Sequence, residues 1–225
     1  MIYNEEIVRR LKALGAADVG FTETKPLHEG YAERLPYTIS LTVKLSDFVI
    51  DEIDTEPTFA YFQHYRTANA FIDRLIFEIG NYIQSEGYQY LPIAASQSIP
   101  DGKGGLSGIV SHKAAARQAG LGSIGKNDIF ISKEYGPRIR LGTILTNMPF
   151  NTVVEQTNPD VCGGCTICAT KCPAMAIRGK VWQPGMAREE IVDAAACSAY
   201  MKEKFQHIGR GSVCGLCMRY CPKGL

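Results

Sequence analysis

All eight cysteines fall in the last 64 residues of this 225-residue chain, and their spacing dictates what that part can fold around. The first run reads Cys162-x2-Cys165-x2-Cys168-x3-Cys172-Pro173. The second is a lone Cys197 followed by Cys214-x2-Cys217-x3-Cys221-Pro222. Two intervening residues let a tight loop aim successive sulfurs at one centre. Three residues before Cys-Pro carry the last sulfur away from its own loop, and the proline fixes φ where the loop ends.

A four-cysteine run closed by Cys-Pro is the spacing of cubane iron–sulfur ligands, with the fourth cysteine serving the other cluster of a pair. Carried over from two-cluster ferredoxins, one [4Fe–4S] cluster takes Cys162, Cys165, Cys168 and Cys221. The other takes Cys172, Cys197, Cys214 and Cys217, and no cysteine is left over. Structural zinc sites use paired C-x2-C units but not a run ending in Cys-Pro. A disulfide framework belongs to small secreted chains, and the polar start Met1-Ile2-Tyr3-Asn4-Glu5-Glu6 does not read as a signal peptide. No stretch approaches the length of a membrane span. The expected location is therefore a reducing cytoplasm, with no membrane contact.

Charge narrows the partners. The formal net charge is +1, but residues 162–225 carry nine Lys/Arg against four Asp/Glu. Each oxidised cluster with its thiolates carries about −2, so the basic excess reads as counter-charge and the loaded chain sits near about −3. That is a poor surface for neutralising nucleic-acid phosphates.

Upstream, Asn4 reads as the N-cap of a helix over residues 5–14, with Ile7, Leu11 and Leu14 on one face. Residues 17–21 and 37–43 read as strands, and 58 to about 87 as a long helix. In that helix the aromatic run Phe59, Tyr61, Phe62, Tyr65 reads as core. A short strand at 90–95, a polar loop at 96–111, a short helix at 112–119 and strands at 129–131 and 139–145 follow. Residues 149–160 read as a linker. The expected class is α+β: a mixed ligand-binding domain over 1–155, then a ferredoxin-like two-cluster domain over 156–225.

Gly120-Leu121-Gly122-Ser123-Ile124-Gly125-Lys126 matches both G-x-G-x-x-G and a truncated P-loop. A dinucleotide site needs a strand before the glycines and a helix after them, and here the order is inverted. Asn127 stands where a P-loop needs Ser/Thr. Two readings remain open: a turn that needs glycine for its backbone, or a backbone that approaches a large flat ligand, with Lys126 and Asn127 as polar contacts.

The segment from His112 to Asn127, Tyr135-Gly136, Leu141 to Thr146 and the two cysteine runs around Cys197 together resemble epoxyqueuosine reductases. The resemblance covers roughly residues 60–225. It implies a fold shared with reductive dehalogenases, two [4Fe–4S] clusters feeding electrons to a cobalamin, and a redox activity. It places Gly122, Ile124, Gly125, Lys126 and Asn127 beside the corrinoid. In that family an acid in an Asp-Ser-Ala-Pro-like stretch donates a proton. Here Ser96-Gln97-Ser98-Ile99-Pro100 lacks the acid, and Asp101 stands next as substitute or as a turn residue before Gly102. His112 reads as a candidate acid or as a helix-start residue. Lys113, Arg138 and Arg140 read as anion contacts or solvated charges. His207 is placed near the thiolates. The family continues into a helical-repeat region that helps hold tRNA, whereas this sequence stops at Leu225. The expected function is a corrinoid-linked reductase with a substrate other than tRNA, fed by a ferredoxin or flavodoxin. The alternative is an electron-transfer module that reduces a partner such as a corrinoid protein.

Overall fold

A computed structural model describes residues 2–99, 106–210 and 213–224. In chain order the elements are α1 (Asn4–Leu14), β1 (Asp18–Glu23), α2 (Glu29–Ala32), β2 (Tyr37–Lys44), α3 (Asp47–Asp51), α4 (Phe59–Ser85) and β3 (Tyr90–Ile93). They continue with α5 (His112–Gln118), β4 (Gly122–Ile124), β5 (Phe130–Ser132), β6 (Ile139–Thr146), α6 (Ile167–Thr170), α7 (Ala194–Phe205) and α8 (Leu216–Arg219).

The sheet is antiparallel throughout, in the order β1-β2-β6-β3. β2 alternates apolar and hydroxyl side chains, so its two faces meet different layers. Ile39 lies opposite Phe21 on β1 and Ile144 on β6. These join Leu41 and Val43 in a core with Ile7 and Leu11 of α1 and Ile72, Leu75, Ile76, Ile79 and Ile83 of α4. Each such aliphatic burial contributes roughly 1.5–3 kcal/mol. Thr38, Ser40 and Thr42 fill the opposite face and are fully buried. α5 covers that face because Ala115 and Ala116 let its backbone come close. From its end, Gln118 donates to Thr22 Oγ1 and to the Glu23 carbonyl, both at 2.9 Å.

Three local expectations change. Asn4 does not cap α1. Its carboxamide instead donates to Asn151 O at 2.8 Å and accepts from Asn151 N at 2.9 Å, tying the helix start to the stretch that follows β6. Leu14 is 42% exposed, because the helix closes on the left-handed Gly15 (φ 107°) and the last turn leaves the core. In the aromatic run, Tyr61 is buried but Phe59 is exposed.

Residues 149–160 are not a free tether. Val153 N donates to Phe21 O at 2.9 Å and Glu155 N to Gln118 O at 2.8 Å, so the stretch lies along β1 and the end of α5. A second core shares residues from both ends of the chain: Leu45, Ile50, Ile53 and Tyr61 pack with Val213, Leu216 and Met218. The cysteine-bearing segment is thus built onto the sheet-bearing part through a common apolar interface.

Candidate cluster pair and the cleft beside it

The cysteine loop 162–168 is shaped by its own backbone. Asp160 Oδ1 accepts from Cys162 N at 3.0 Å and Gly163 N at 2.9 Å, and Cys165 N returns to Cys162 O at 3.0 Å. Gly163 takes a left-handed φ of 52° to make that reversal, which glycine does without steric cost. Cys168 sits on α6, Cys217 on α8 and Cys197 on α7, whose N-cap Asp193 accepts from Ala196 N at 2.9 Å. The helix carrying Cys197 is absent from the sequence-level reading, because its apolar residues follow no clear stripe.

The sulfurs fall into two groups. Cys162, Cys165, Cys168 and Cys221 wall one cavity together with Asn127, Ile131, Pro222 and Lys223. The other four influence one another. Burial pushes the Cys214 thiol up to about 11, and Cys197 and Cys172 add to it. Burial likewise raises Cys197, with Cys172 next, and raises Cys217, with Cys214, Cys197 and Cys172 behind it. All eight cysteines are free. A cationic metal core binds thiolates and displaces their protons, and eight free cysteines gathered in two fours supply the four sulfurs that each cluster needs. The residues therefore fit two iron–sulfur clusters.

Beside them runs a cleft of about 830 Å³, within the range of ligand-binding pockets. Its walls come from the end of β3 and residues 94–98, residues 106–114, the β4–β5 hairpin, β6, and Trp182, Met186, Arg188 and Glu189 of the cysteine-bearing segment. The segments are cross-tied: Arg188 Nη1 donates to Leu106 O at 2.6 Å. Arg140 lines the cleft, donating to Asn69 Oδ1 at 2.8 Å and to the Tyr65 hydroxyl at 3.3 Å, its guanidinium 4.4 Å from the Tyr65 ring centroid. Burial pushes the Tyr65 phenol up, but Arg140 and hydrogen bonds from Ser96, Asn69 and Arg140 outweigh it and leave the group below its ordinary value.

The sequence-predicted site residues separate into two places. His112 and Ile124 line the cleft. Both ring nitrogens of His112 are taken: Nε2 donates to Ala94 O at 3.0 Å, so Nδ1 accepts from Thr143 Oγ1 at 2.8 Å. Burial lowers its pKa, so the ring is neutral. Gly122 and Gly125 lie in the hairpin wall. A Cβ on Gly122 would meet Ile131 O at 2.1 Å, and one on Gly125 would meet Ile131 Cδ1 at 2.6 Å. Close backbone approach is thus the reason for glycine, and the strand–turn–strand order excludes the dinucleotide and P-loop readings.

Lys126 and Asn127 face the cysteine loops. Lys126 Nζ donates to Gly163 O at 2.5 Å and Cys165 O at 3.4 Å. Asn127 Nδ2 donates to Cys217 O at 3.1 Å. One turn therefore touches both cysteine groups and, through Ile124 and Asp128, the cleft. Lys113 is paired with Asp128, and the buried Arg138 spans Asp47 (3.3 Å) and Asp51 (2.7 Å), so neither is a free anion contact. His207 is 3.8 Å from Glu56. Asp101 lies outside the described residues.

Sequence reading missed Asn158, Arg117 and Trp182. Asn158 is 3% exposed and bonds Ile124 N, Ile124 O and Trp182 O. Arg117 Nη1 donates to the carbonyls of Glu155 and Thr157, both at 2.9 Å, with its guanidinium 5.4 Å from the Trp182 ring centroid. Single polar residues in a non-repeating stretch carry no local signal of such roles.

Residues 161–224 match the 4Fe-4S double cluster binding domain. The chain thus carries the domain that holds two [4Fe–4S] clusters, as its cysteine spacing requires. In sequence it is similar to epoxyqueuosine reductases: 35% identical over 130 residues to that of Gloeobacter violaceus, covering 53% of this chain and 37% of that protein. To that of Synechocystis sp. it is 27% identical over 205 residues, covering 88% of this chain and 64% of that one. The match spans about a third of the Gloeobacter protein and 30% of the Staphylococcus aureus one. In fold it resembles the catabolic reductive dehalogenase NpRdhA, with a TM-score of 0.77 at 20% identity over 98% of this chain and 32% of that one. The epoxyqueuosine reductase from Streptococcus thermophilus gives 0.61 at 20% identity over 100% of this chain and 66% of that one. Among the described residues, no helix is long and apolar enough to cross a membrane.

Proposed function

We propose that the chain is a reductase that passes electrons through its two clusters to a corrinoid in the 830 Å³ cleft. One cluster is held by Cys162, Cys165, Cys168 and Cys221 and the other by Cys172, Cys197, Cys214 and Cys217. Residues 1–155 form the ligand-binding part and 156–225 the electron-carrying part.

The observation that carries this reading is the turn Ile124–Asp128. It lines the cleft at both ends while Lys126 and Asn127 between them bond the two cysteine loops. Such a shared wall keeps clusters and acceptor close and fixed. The cleft suits a large, mostly apolar ring with amide edges: Ile124, Phe130, Trp182 and Met186 offer apolar surface, and Arg140 and Ser96 offer polar contacts. A bound corrinoid supplies a strongly reducing centre, while the protein supplies position and electrostatics. His112, neutral and held at both nitrogens, orients the Ala94 and Thr143 walls rather than delivering a proton. Arg140 holds positive charge where a reduced substrate gains negative charge.

The solved epoxyqueuosine reductases include a complex with a tRNA-Tyr stem loop. For this chain we propose a smaller substrate, on the ground that its formal charge is only +1. The electron donor is a ferredoxin or flavodoxin.

Titrating the anaerobic protein with hydroxocobalamin while following the fluorescence of Trp182, its only tryptophan, tests the site. Saturable quenching at one equivalent supports it. No binding moves the function to a module that reduces a partner protein. Tight tRNA binding that persists at physiological salt would overturn the substrate proposal.

A further inference from the structure

Met175 combines two features that the fold does not call for. Its φ is 48°, in the left-handed region that side chains other than Gly, Asn and Asp rarely adopt. Its side chain is apolar and 84% exposed, the most exposed of the large hydrophobic residues described. The turn itself has a purpose. Met175 N donates to Cys172 O at 3.1 Å, and the left-handed residue then aims Ala176 N at Cys172 Sγ, 3.4 Å away. Glycine would make that turn without strain. A methionine puts a flexible, polarizable apolar knob on the surface of the turn that bonds Cys172, the kind of side chain that adaptable binding surfaces favour.

Its surroundings state what it would meet. From Lys171 to Lys180 the chain carries three cations and no carboxylate. Lys171 and Lys180 are exposed and make no ion pair among the described residues, although Lys171 Nζ lies 4.6 Å from the Tyr220 ring centroid, while Arg178 is 3.6 Å from Asp193. An exposed apolar side chain in a stretch flanked by Lys171 and Lys180, three residues from a redox sulfur, suits an acidic electron carrier, since opposite charge steers encounter and a small apolar contact seats it.

We infer that Met175 and the flanking Lys171 and Lys180 are the docking point of a small acidic one-electron carrier protein, and that electrons arrive at the Cys172 side of the cluster pair. In the step, one electron leaves the reduced carrier and an oxidised cluster core falls from 2+ to 1+. No bond breaks and no proton moves. This inference rests on the double-cluster domain and not on the corrinoid reading.

The test is anaerobic stopped-flow reduction of the clusters, read by bleaching of their visible absorbance, with no corrinoid added. Reduced flavodoxin and reduced acidic ferredoxin serve as carriers and dithionite as the small reductant. Met175→Glu and the double variant Lys171→Glu/Lys180→Glu are each expected to slow carrier-driven reduction about tenfold, the scale of rim-charge effects on encounter. Dithionite reduction and iron content should stay unchanged, and the wild-type rate should fall as salt rises. Phe77→Glu, at an equally apolar exposed position on α4 (61%), is expected to have no effect. Equal carrier-driven rates in wild type and both charge variants would overturn the inference, as would failure of either carrier to reduce the wild type.

Discussion

Asn158 grips the backbone of Ile124 on both sides: its Oδ1 accepts from Ile124 N at 2.7 Å and its Nδ2 donates to Ile124 O at 3.0 Å. The same Nδ2 reaches Trp182 O at 2.9 Å. One buried carboxamide thus fixes the hairpin wall of the cleft to the cysteine-bearing segment. Asn158→Ala strands these buried backbone groups and should cost roughly 2–4 kcal/mol. Anaerobic denaturant unfolding of the cluster-loaded protein measures it. A loss below about 1 kcal/mol would show that the grip is dispensable.

Lys126 places a positive charge on the carbonyls of Gly163 and Cys165, within the loop of one cysteine group. A nearby cation stabilises the reduced, more negative cluster. Lys126→Met should therefore lower one cluster potential by on the order of 50–100 mV, taking an effective dielectric of about 20. An EPR-monitored redox titration should show one wave moving and the other staying. Two unmoved waves would contradict the placement of that charge.

Gly122→Ala tests the hairpin wall. The added Cβ would sit 2.1 Å from Ile131 O, a backbone atom that cannot swing aside. The expected cost is about 1–3 kcal/mol or more, with Tm several degrees lower. Gly164→Ala is the control, because its Cβ would meet nothing within 4 Å.

His112 gives a pH signature. Burial holds its folded pKa below that of the unfolded chain, with Arg140 also lowering it and Ala94 and Asp73 opposing. Between the two values the unfolded chain binds the extra proton, so stability is full above the unfolded value of about 6.5 and declines as pH falls below it. Tm measured from pH 7.5 to 5.5 should fall more steeply for wild type than for His112→Gln. Parallel curves would mean that the ring titrates normally in the fold.

The cluster pair was legible because ligand spacing is a local covalent pattern: eight cysteines and two Cys-Pro steps specify the domain almost by themselves. The strands that build the sheet and the long α4 were legible, the helix from its helical apolar spacing, but the antiparallel pairing and the order β1-β2-β6-β3 join residues far apart in sequence and were not. The cleft was only half legible. The glycines left two readings open, a turn that needs glycine or a backbone approaching a flat ligand; the close approach of Gly122 to Ile131 O accounts for that glycine within the hairpin, and Lys126 and Asn127, in the turn between β4 and β5, bond the cysteine loops. The sequence could not disclose that residues 149–160 lie along β1, nor that Asn158 within them joins three segments. Those roles depend on backbone groups brought together from 24 and 34 residues away.

The central claim is that two iron–sulfur clusters serve a corrinoid held in the cleft. The most direct measurement is iron, sulfide and cobalt per chain in protein purified anaerobically from cells supplied with cobalamin. About eight irons and eight sulfides, with one cobalt that is lost when the cleft residue Ile124 is changed to Trp, is the predicted result. Full iron and sulfide without cobalt, even after hydroxocobalamin is added, would contradict it.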